Sequence, residues 1–401
     1  MIYRFHMTIL KSLRPLTMSL MCLLYLSLAG CVTLPSASDY NELQLPESSL
    51  SEELLLDVGV VLFDPAIERL SADELENGYQ QIRLAEARYM PVVLAQTLSH
   101  TEQWGYVHLL SEASMNIDVL VQARILESTS HTLRLAVTVA DASGRIWFET
   151  TYTENVGEQI YSPDALGVND PFQGLYNRIA NDMLNFARTE LDSTSITNLR
   201  HLASLDFAAE FAGDAFAHHS SIDEDGIRRL SSLHAEDDPL YQHTLDIRER
   251  DGLFHDTMGR YYTGFARQIA EPYYYWRRDH YREMRSLQES QASGLRQVAG
   301  GVLLIGLATA TGDTSDLLSS TASAISAVSG SRMMSRGLTQ LESTSYNFLD
   351  ELSESFAGDV STQVIELDER TVVLSGSVNE IYGEWQKILE DMYQREMNER
   401  Q

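Results

Sequence analysis

Both cysteines of this 401-residue chain, Cys22 and Cys31, lie within its first 31 residues. The rest of the chain therefore has no thiol with which to form a disulfide, an iron–sulfur cluster or a cysteine nucleophile. Its fold must be stabilised by a hydrophobic core, and 44% of the residues are hydrophobic, which is enough for a sizeable one. At about 100–200 residues per domain, the length predicts two or three domains.

The amino terminus has the pattern of an export signal. Arg4, Lys11 and Arg14 form a positive leader without any acidic residue, and an apolar run from Leu16 to Leu28 follows. A run this short, ending in small residues, predicts a signal peptide over residues 1–30 rather than a membrane span.

The stretch Leu28-Ala29-Gly30-Cys31 resembles the lipobox of bacterial lipoproteins in all four positions. The resemblance implies that the leader is removed and that Cys31 carries fatty acyl chains such as palmitate, which attach the protein durably to a membrane. Val32, rather than Asp, follows the cysteine, which by the same resemblance favours the outer membrane with the body in the periplasm. An ordinary signal peptide with a chance cysteine, or an uncleaved anchor, is the alternative.

The formal charge of −29, from 58 acidic and 29 basic residues, bears on the choice of partner. An excess of this size repels nucleic-acid phosphates and anionic lipid surfaces, so nucleic-acid binding is not expected. Residues 31–50, rich in Ser, Pro, Asn and Glu, are expected to form a tether between the lipid and the body.

Residues 51–156 are expected to form an α+β domain, with a small antiparallel or mixed sheet and helix on one face. Alternating apolar residues and turn signals separate the expected strands. Pro91 is expected to bend or restart the helix. The expected elements are strands at Leu54–Phe63, Trp104–Leu110, Ile117–Leu126, Leu133–Asp141 and Ile146–Tyr152, and a helix over residues 80–102.

This segment resembles the small periplasmic α/β domain of lipoproteins of the curli-secretion-channel and TolB amino-terminal type. The resemblance lies in the strand Val58–Asp64, the helix end at Trp104-Gly105, Asp118–Val121 at the start of a strand, and Asp141–Arg145 before Ile146-Trp147. It implies a domain used for partner binding and assembly, and it carries over no catalytic residues.

Residues 170–360 are expected to form a mostly α-helical domain. Pro171–Leu191 has apolar residues close to a 3.6-residue period, and further helices are expected over residues 198–218, 225–234, 238–270 and 272–298. Pro239 and Pro272 suit the first position of a helix. Residues 361–401 are expected to form a β-hairpin, with strands Thr362–Leu367 and Thr371–Leu374, followed by a helix over residues 379–396.

A small-residue hairpin is expected over residues 298–330. Small side chains four residues apart let two helix backbones approach closely. The uncharged stretch 298–311 would reach only about 21 Å as a helix, against a hydrocarbon core of about 30 Å. The hairpin is therefore either packed within the helical domain or inserted into a membrane or an oligomer. Its candidate packing residues are Gly300, Gly301, Gly306, Ala322, Ser326 and Gly330.

The densest aromatic and basic patch of the chain is Tyr273-Tyr274-Tyr275-Trp276-Arg277-Arg278. Aromatic rings can stack on sugar or contact a partner protein, and arginines can pair with carboxylates. These six residues are therefore candidate partner-binding residues. The alternative is that the rings are core side chains, because crowded aromatics on a helix usually pack inside the protein.

No metal or other cofactor is expected. Ser221–Ile227 resembles half of a calcium loop, but Ser232 stands where the bidentate Glu is required. The histidines lack the spacing that fixes a zinc site. Gly-x-Ser-x-Gly, Walker and Gly-x-Gly-x-x-Gly motifs are missing as well, so the chain is not expected to be an enzyme, although a carboxylate pair brought together by folding stays open.

Together these observations predict a non-catalytic, lipid-anchored lipoprotein of the outer membrane that acts as an assembly or scaffold factor. Its expected partners are the membrane, through the lipid, and envelope proteins or peptidoglycan. Two alternatives remain. One is a homo-oligomeric secretion or pore-type lipoprotein that uses residues 298–330, and the other is a cell-wall-modifying enzyme.

Overall fold

The computed structural model describes residues 41–46, 50–76, 79–114, 116–162, 170–232, 238–311, 360–367, 370–376 and 378–400. The chain divides into two compact units. One unit comprises Met1–Pro35 and Arg282–Gly337, and of it the structure describes only the helical residues 282–311. The other comprises Ser36–Tyr281 and Leu338–Gln401, and it holds the sheet and the core discussed below.

A five-stranded mixed sheet with the strand order β2-β1-β3-β4-β5 forms the centre of the second unit. Strand β1 runs parallel to both β2 and β3, whereas β3, β4 and β5 form an antiparallel meander. Every second residue of β4 is apolar and buried, so Leu133, Leu135, Val137 and Val139 all point into the core. The strands are β1 (Val58–Val61), β2 (Val107–Leu110), β3 (Val119–Ser128), β4 (Thr132–Asp141) and β5 (Ile146–Asn155).

Helices cover the core side of this sheet. The described α-helices are α1 (Ala72–Glu76), α2 (Tyr79–His100), α3 (Gln173–Glu190), α4 (Ser193–Ala212), α5 (Pro239–Thr311) and α6 (Val378–Arg400). In α3 the buried residues Leu175, Ile179 and Met183 recur every four positions, which places one apolar stripe against the core. No described helix combines the length and the apolar character that crossing a membrane would require.

Two smaller hairpins complete the described strands. Strands β6 (Ser220–Ile222) and β7 (Arg228–Leu230) pair antiparallel, as do β8 (Val360–Leu367) and β9 (Arg370–Gly376). The expected fold class is confirmed. It is an α+β protein with a small mixed sheet and helix, then a mostly helical region, and then a carboxy-terminal β-hairpin followed by a helix.

Three local expectations were wrong. Residues 225–234 were expected to be helical, but they contain β7 and the turn before it, where Gly226 has a φ of +80° that a helix does not accommodate. Pro272 was expected to begin a new helix and Pro91 to bend or restart its helix, yet α5 runs through Pro272 and α2 does not restart at Pro91. A proline removes only one backbone hydrogen bond, and burial of the surrounding side chains, such as Met90 and Tyr273, offsets that loss.

The expected α+β, helical and carboxy-terminal segments share one hydrophobic core. Val137 of β4, Phe265 of α5 and Trp385 of α6 are each at most 1% exposed and belong to the same cluster of buried side chains. The sheet alone therefore does not bury its apolar face. The helices and the carboxy-terminal segment cover that face and complete the core.

Part of the expected tether lies on the body. The Asn177 side chain donates to the Asn41 carbonyl at 2.7 Å, and the Asn181 side chain donates to the Glu42 carbonyl at 2.9 Å. Asn181 also accepts a hydrogen bond from the Gln44 backbone. The described body thus begins at Asn41, bound to α3, rather than after residue 50.

Candidate functional site

The edge of the sheet at β2 opens into a cleft. β2 is the terminal strand of the sheet order, and it is hydrogen-bonded to β1 on one side only. The β1 side is defined by hydrogen bonds from Val58 N to Tyr106 O and from Leu62 N to Leu110 O. Because successive residues of a strand direct their backbone groups to opposite sides, the N–H and C=O of Val107 and Leu109 point away from β1.

Two aspartates position the start of β2. The Asp57 carboxylate accepts a hydrogen bond from the Tyr106 backbone at 2.8 Å, and the Asp57 backbone donates to Asp118 at 2.9 Å. Gly105 lies directly beneath the Asp57 carboxylate, where any Cβ would collide with it. The chain can therefore turn into β2 only because a glycine stands at this position.

Two helices form the walls of this cleft, which we call the edge cleft. Its volume is about 820 Å³, and it is lined by β2, by the carboxy-terminal half of α2 and by residues 255–267 of α5. α2 contributes Gln96, Ser99 and His100, and α5 contributes Gly259, Thr263 and Gly264. A Cβ added at Gly259 or Gly264 would meet no atom within 4 Å, so the α5 wall does not touch the opposite wall there.

The α5 wall carries charges of both signs, because Asp256 lines the edge cleft one helical turn before Arg260. Arg260 and Arg267 line the edge cleft, are exposed, and lie seven residues apart, which places them on the same side of the helix. Among the described residues, no carboxylate lies within ion-pair distance of either guanidinium, and Arg260 bonds only to Thr257 at 2.9 Å. Glu102 also lines the cleft, so its lining holds two arginines and two carboxylates.

The end of the cleft near the sheet carries a histidine–aspartate cluster. His255 Nε2 lies 3.2 Å from the Asp251 carboxylate, which also accepts a hydrogen bond from Trp385 Nε1 at 3.1 Å. The His108 ring lies 5.8 Å from the His255 ring, and burial, together with the charge of His255, lowers the pKa of His108 below its usual value. His108 is therefore neutral near pH 7.

Among the described residues, the partners of this cluster are side chains of α5, α6 and β2. In the described part of the chain no side-chain hydroxyl is hydrogen-bonded to His255, whose partner is Asp251. Nor do any three His, Cys, Asp or Glu side chains among the described residues come together in a way that could hold a metal ion. The contact between the His255 ring and the His108 ring joins α5 to β2.

The aromatic patch lies inside the protein. Tyr273, Tyr274, Trp276 and Arg277 are at most 6% exposed, whereas Tyr275 and Arg278 are half-buried and stack on each other. Four of the six candidate partner-binding side chains are therefore core residues. The reason is that this turn of α5 packs against α2 and the β3–β4 hairpin.

Arg277 and Glu86 form the centre of that packing. Glu86 Oε1 accepts hydrogen bonds from Ser128 Oγ and Tyr273 Oη, both at 2.6 Å, and from Arg277 at 3.0 Å. The Arg277 guanidinium also donates to the Thr129 carbonyl and lies 4.7 Å from the centre of the Phe172 ring. This buried ion pair joins α5, α2 and the sheet.

The remaining candidate residues fall elsewhere. Gly300, Gly301 and Gly306 lie in the described part of α5. Cys31, Ala322, Ser326 and Gly330 lie outside the described residues.

The sequence did not point to the edge cleft. The strand over residues 104–110 was expected, but its position at the edge of the sheet depends on strand order, which the sequence does not state. The one local signal is that Arg260 and Arg267 share a side of α5 with Gly259 and Gly264. Comparison of the chain with protein-family models, with curated proteins and with solved structures gives no match.

Proposed function

We propose that this protein is a lipid-anchored, non-catalytic binding factor of the bacterial outer membrane, and that its partner binds in the edge cleft. The observation that carries the proposal is the cleft itself. It lies at an unpaired strand edge and is walled by two helices, with two arginines that have no ion-pair partner among the described residues. Concave surfaces with a few convergent polar groups are the usual place for a binding site.

The anchor contributes the second part of the proposal. The lipobox-like Leu28–Cys31 would place acyl chains ten residues before Asn41, where the described body begins on α3. Ten extended residues span at most about 35 Å, so the body would be confined to a thin layer beside the bilayer. Confinement raises the effective concentration of partners in the same layer, which lets a contact of modest area suffice.

A pair of measurements in bacterial cells tests this proposal. A photo-reactive residue at Gln96, which is exposed in the edge cleft, should capture an envelope partner on irradiation. The same residue at Thr197, which is exposed on α4 and does not line the cleft, serves as the control and should capture nothing. A Cys31→Ser variant should leave the outer-membrane fraction and lose the capture at Gln96.

The proposal fails if Cys31→Ser fractionates and matures as the wild type does. It fails equally if irradiation yields the same products from Gln96 and Thr197. Capture of the same chain from Gln96 would favour a homo-oligomer over a scaffold for other proteins.

A further inference from the structure

We propose that residues 41–46, which we call the strap, are a releasable part of the tether, so that the anchored body has a short and a long reach from the membrane. The strap lies on α3 in one state and is free of it in the other. This inference rests on the lipid anchor of the proposed function, and it concerns how far the body can move rather than what it binds.

Two asparagine side chains of α3 hold the backbone of the strap. Asn177 and Asn181 are four residues apart, which places them on the same side of the helix. Asn177 donates to the Asn41 carbonyl at 2.7 Å. Asn181 donates to the Glu42 carbonyl at 2.9 Å and accepts a hydrogen bond from the Gln44 N–H at 2.8 Å. Two amide groups thus carry hydrogen bonds to three of the six strap residues.

The strap buries little apolar surface. Leu43 is half-buried and packs against the core, whereas Leu45 is 61% exposed. A cleft of about 500 Å³ opens beside the strap, and it is lined by Glu42 and Leu43 of the strap and by Gln96 and His100 of α2. The strap is therefore in contact with the body on its α3 side and open toward α2.

The balance of these contacts favours local release. Holding a segment in one conformation costs backbone entropy at each of its residues. The hydrogen bonds between Asn181 and the strap are exposed, so water can replace them. α3 itself is held by Leu175, Ile179 and Met183, which are fully buried. Segments with exposed hydrogen bonds and few buried apolar contacts open while the core stays folded, so the strap should be released without unfolding α3.

Release would lengthen the free part of the tether. With the strap docked, the ten residues from Cys31 to Asn41 extend to at most about 35 Å. Glu53 is a further point of attachment, because Arg200 of α4 donates to its carbonyl at 2.8 Å. With the strap released and Glu53 still bound, 22 residues separate Cys31 from the body, and they extend to at most about 75 Å. The strap therefore sets how far from the membrane a partner can be reached.

Hydrogen exchange of the full-length protein in detergent tests release in the wild type. The Gln44 N–H, which donates to Asn181, should have a protection factor at least about a hundredfold lower than that of the Met183 N–H within α3. Equal protection of the two amides would show that the strap opens only when α3 unfolds, and it would overturn the proposal.

Spin labels distinguish the docked strap from the released one. Beyond Cys31 the chain has no thiol, so the substitutions Leu45→Cys and Thr189→Cys, both at exposed positions, provide specific label sites on the strap and on α3. Double electron–electron resonance should give one narrow, short distance as the main component. Asn181→Ala should convert most of it to a broad distribution at longer distance. The matched control Asn185→Ala, one turn further along α3, should leave it unchanged.

A second variant guards against an indirect effect on α3. Gln44→Pro removes the N–H that donates to Asn181 and leaves α3 unaltered, so it should release the strap as Asn181→Ala does. Gln44→Ala keeps the N–H, and this matched control should stay docked. Equal distance distributions in Gln44→Pro and Gln44→Ala would contradict the hydrogen bonding described for the strap.

A reversible lock tests the change of reach. Because the Gln44 nitrogen lies 2.8 Å from the Asn181 side chain, Gln44→Cys combined with Asn181→Cys should form a disulfide that keeps the strap docked. Energy transfer is measured in vesicles, from a fluorescent amino acid at Thr197, exposed on α4, to a labelled phospholipid headgroup. It should fall when a reductant opens the disulfide, since the r.m.s. tether length rises from about 17 to about 26 Å. Asn181→Cys alone should give low transfer with and without the reductant.

The outcomes separate this inference from the proposed function. Unchanged energy transfer on reduction of the disulfide would overturn the change of reach. If Cys31 is acylated and the Gln44 N–H is as protected as the Met183 N–H, the strap inference is wrong while the proposed function stands. Absence of acyl chains on Cys31, measured by mass spectrometry, would overturn the proposed function and leave no anchored reach for the strap to set.

Discussion

Arg277 and Arg278 are neighbours in sequence with different physical roles. The Arg277 guanidinium is 1% exposed and pairs with the equally buried Glu86 carboxylate. Arg278 pairs with the neighbouring Asp279 carboxylate, which is 57% exposed. A charge that has left water must be paired and hydrogen-bonded, whereas a surface pair contributes little. Burial, and not residue type, therefore decides the energetic weight of each arginine.

Replacement of Arg277 by Met should lower the free energy of unfolding by at least about 2 kcal/mol, because the buried Glu86 carboxylate loses its hydrogen bond from Arg277 and keeps only Arg83, at 3.5 Å, as a charged partner. Urea denaturation measures the change. The matched variant Arg278→Met should change the free energy of unfolding by less than about 1 kcal/mol.

Equal, small effects of Arg277→Met and Arg278→Met would show that Arg277 is not enclosed as described.

At the scale of elements, turn residues decide where the strands pair. The β4–β5 turn is held by the Asp141 carboxylate, which accepts hydrogen bonds from the Ser143 backbone at 2.9 Å and from Trp147 Nε1 at 2.8 Å. Gly144 completes the turn with a φ of +83°, in the left-handed region that favours glycine. The β6–β7 hairpin uses Asp223 and Gly226 in a similar way.

The same substitution should therefore have opposite effects in a turn and in a helix. Gly144→Ala should cost about 1 kcal/mol of unfolding free energy, because alanine rarely adopts positive φ. Gly383→Ala, in α6, should stabilise the protein by about 0.5–1 kcal/mol, because an added Cβ there meets no atom within 4 Å and alanine favours helix. Thermal unfolding compares the two variants, and a gain for Gly144→Ala would contradict the turn geometry.

At the scale of the whole molecule, one core joins segments that the sequence separates. Trp385 of α6 is fully buried, donates to Asp251 of α5, and belongs to the cluster that includes Val137 of β4. Elements that share a core are expected to unfold together.

Trp385→Ala should lower the unfolding free energy by about 3–5 kcal/mol. If the core is shared, hydrogen exchange should accelerate at the β4 amides as well as at the α6 amides. Tyr106→Ala, at a side chain that is 70% exposed, is the control and should change stability by less than about 0.5 kcal/mol. Unchanged β4 exchange in Trp385→Ala would make the carboxy-terminal segment an independent domain.

Two buried carboxyls, Asp118 and Glu154, make the stability of the protein depend on pH. Burial raises the pKa of Asp118 to about 6 and the pKa of Glu154 to about 7. Since the folded state then holds protons that the unfolded state releases, the contribution of these two carboxyls to stability is largest below pH ~4 and falls as the pH rises to about 7.

The unfolding free energy of the wild type should therefore be lower at pH 8 than at pH 5, with Asp118 contributing about 1.4 kcal/mol of the difference, because about one pKa unit of its shift lies above pH 5. Urea titrations at the two pH values measure it. Asp118→Asn should reduce the difference, since an amide does not titrate, and a difference of the opposite sign would contradict the burial of these groups.

The sequence predicted an element well where its pattern depends only on residues that are close together in the chain. Alternation in β3, β4 and β5 placed each strand within a few residues, since the period of two follows directly from backbone geometry. The short β7 strand was missed, because a three-residue strand has no measurable period and depends on its turn. The aromatic patch allowed both a core and a surface interpretation, since a ring on a helix has the same sequence pattern in either place.

The sequence by itself determined the fold class, the order of the main elements and the absence of thiols after Cys31, because these follow from residue type and spacing along the chain. It also carries the lipobox-like stretch from which the anchor is proposed. Only the tertiary structure decided that β2 is an edge strand, that Arg277 is buried while Arg260 and Arg267 are not, and that one core spans three segments. Those properties depend on which distant residues meet, and local spacing does not specify that.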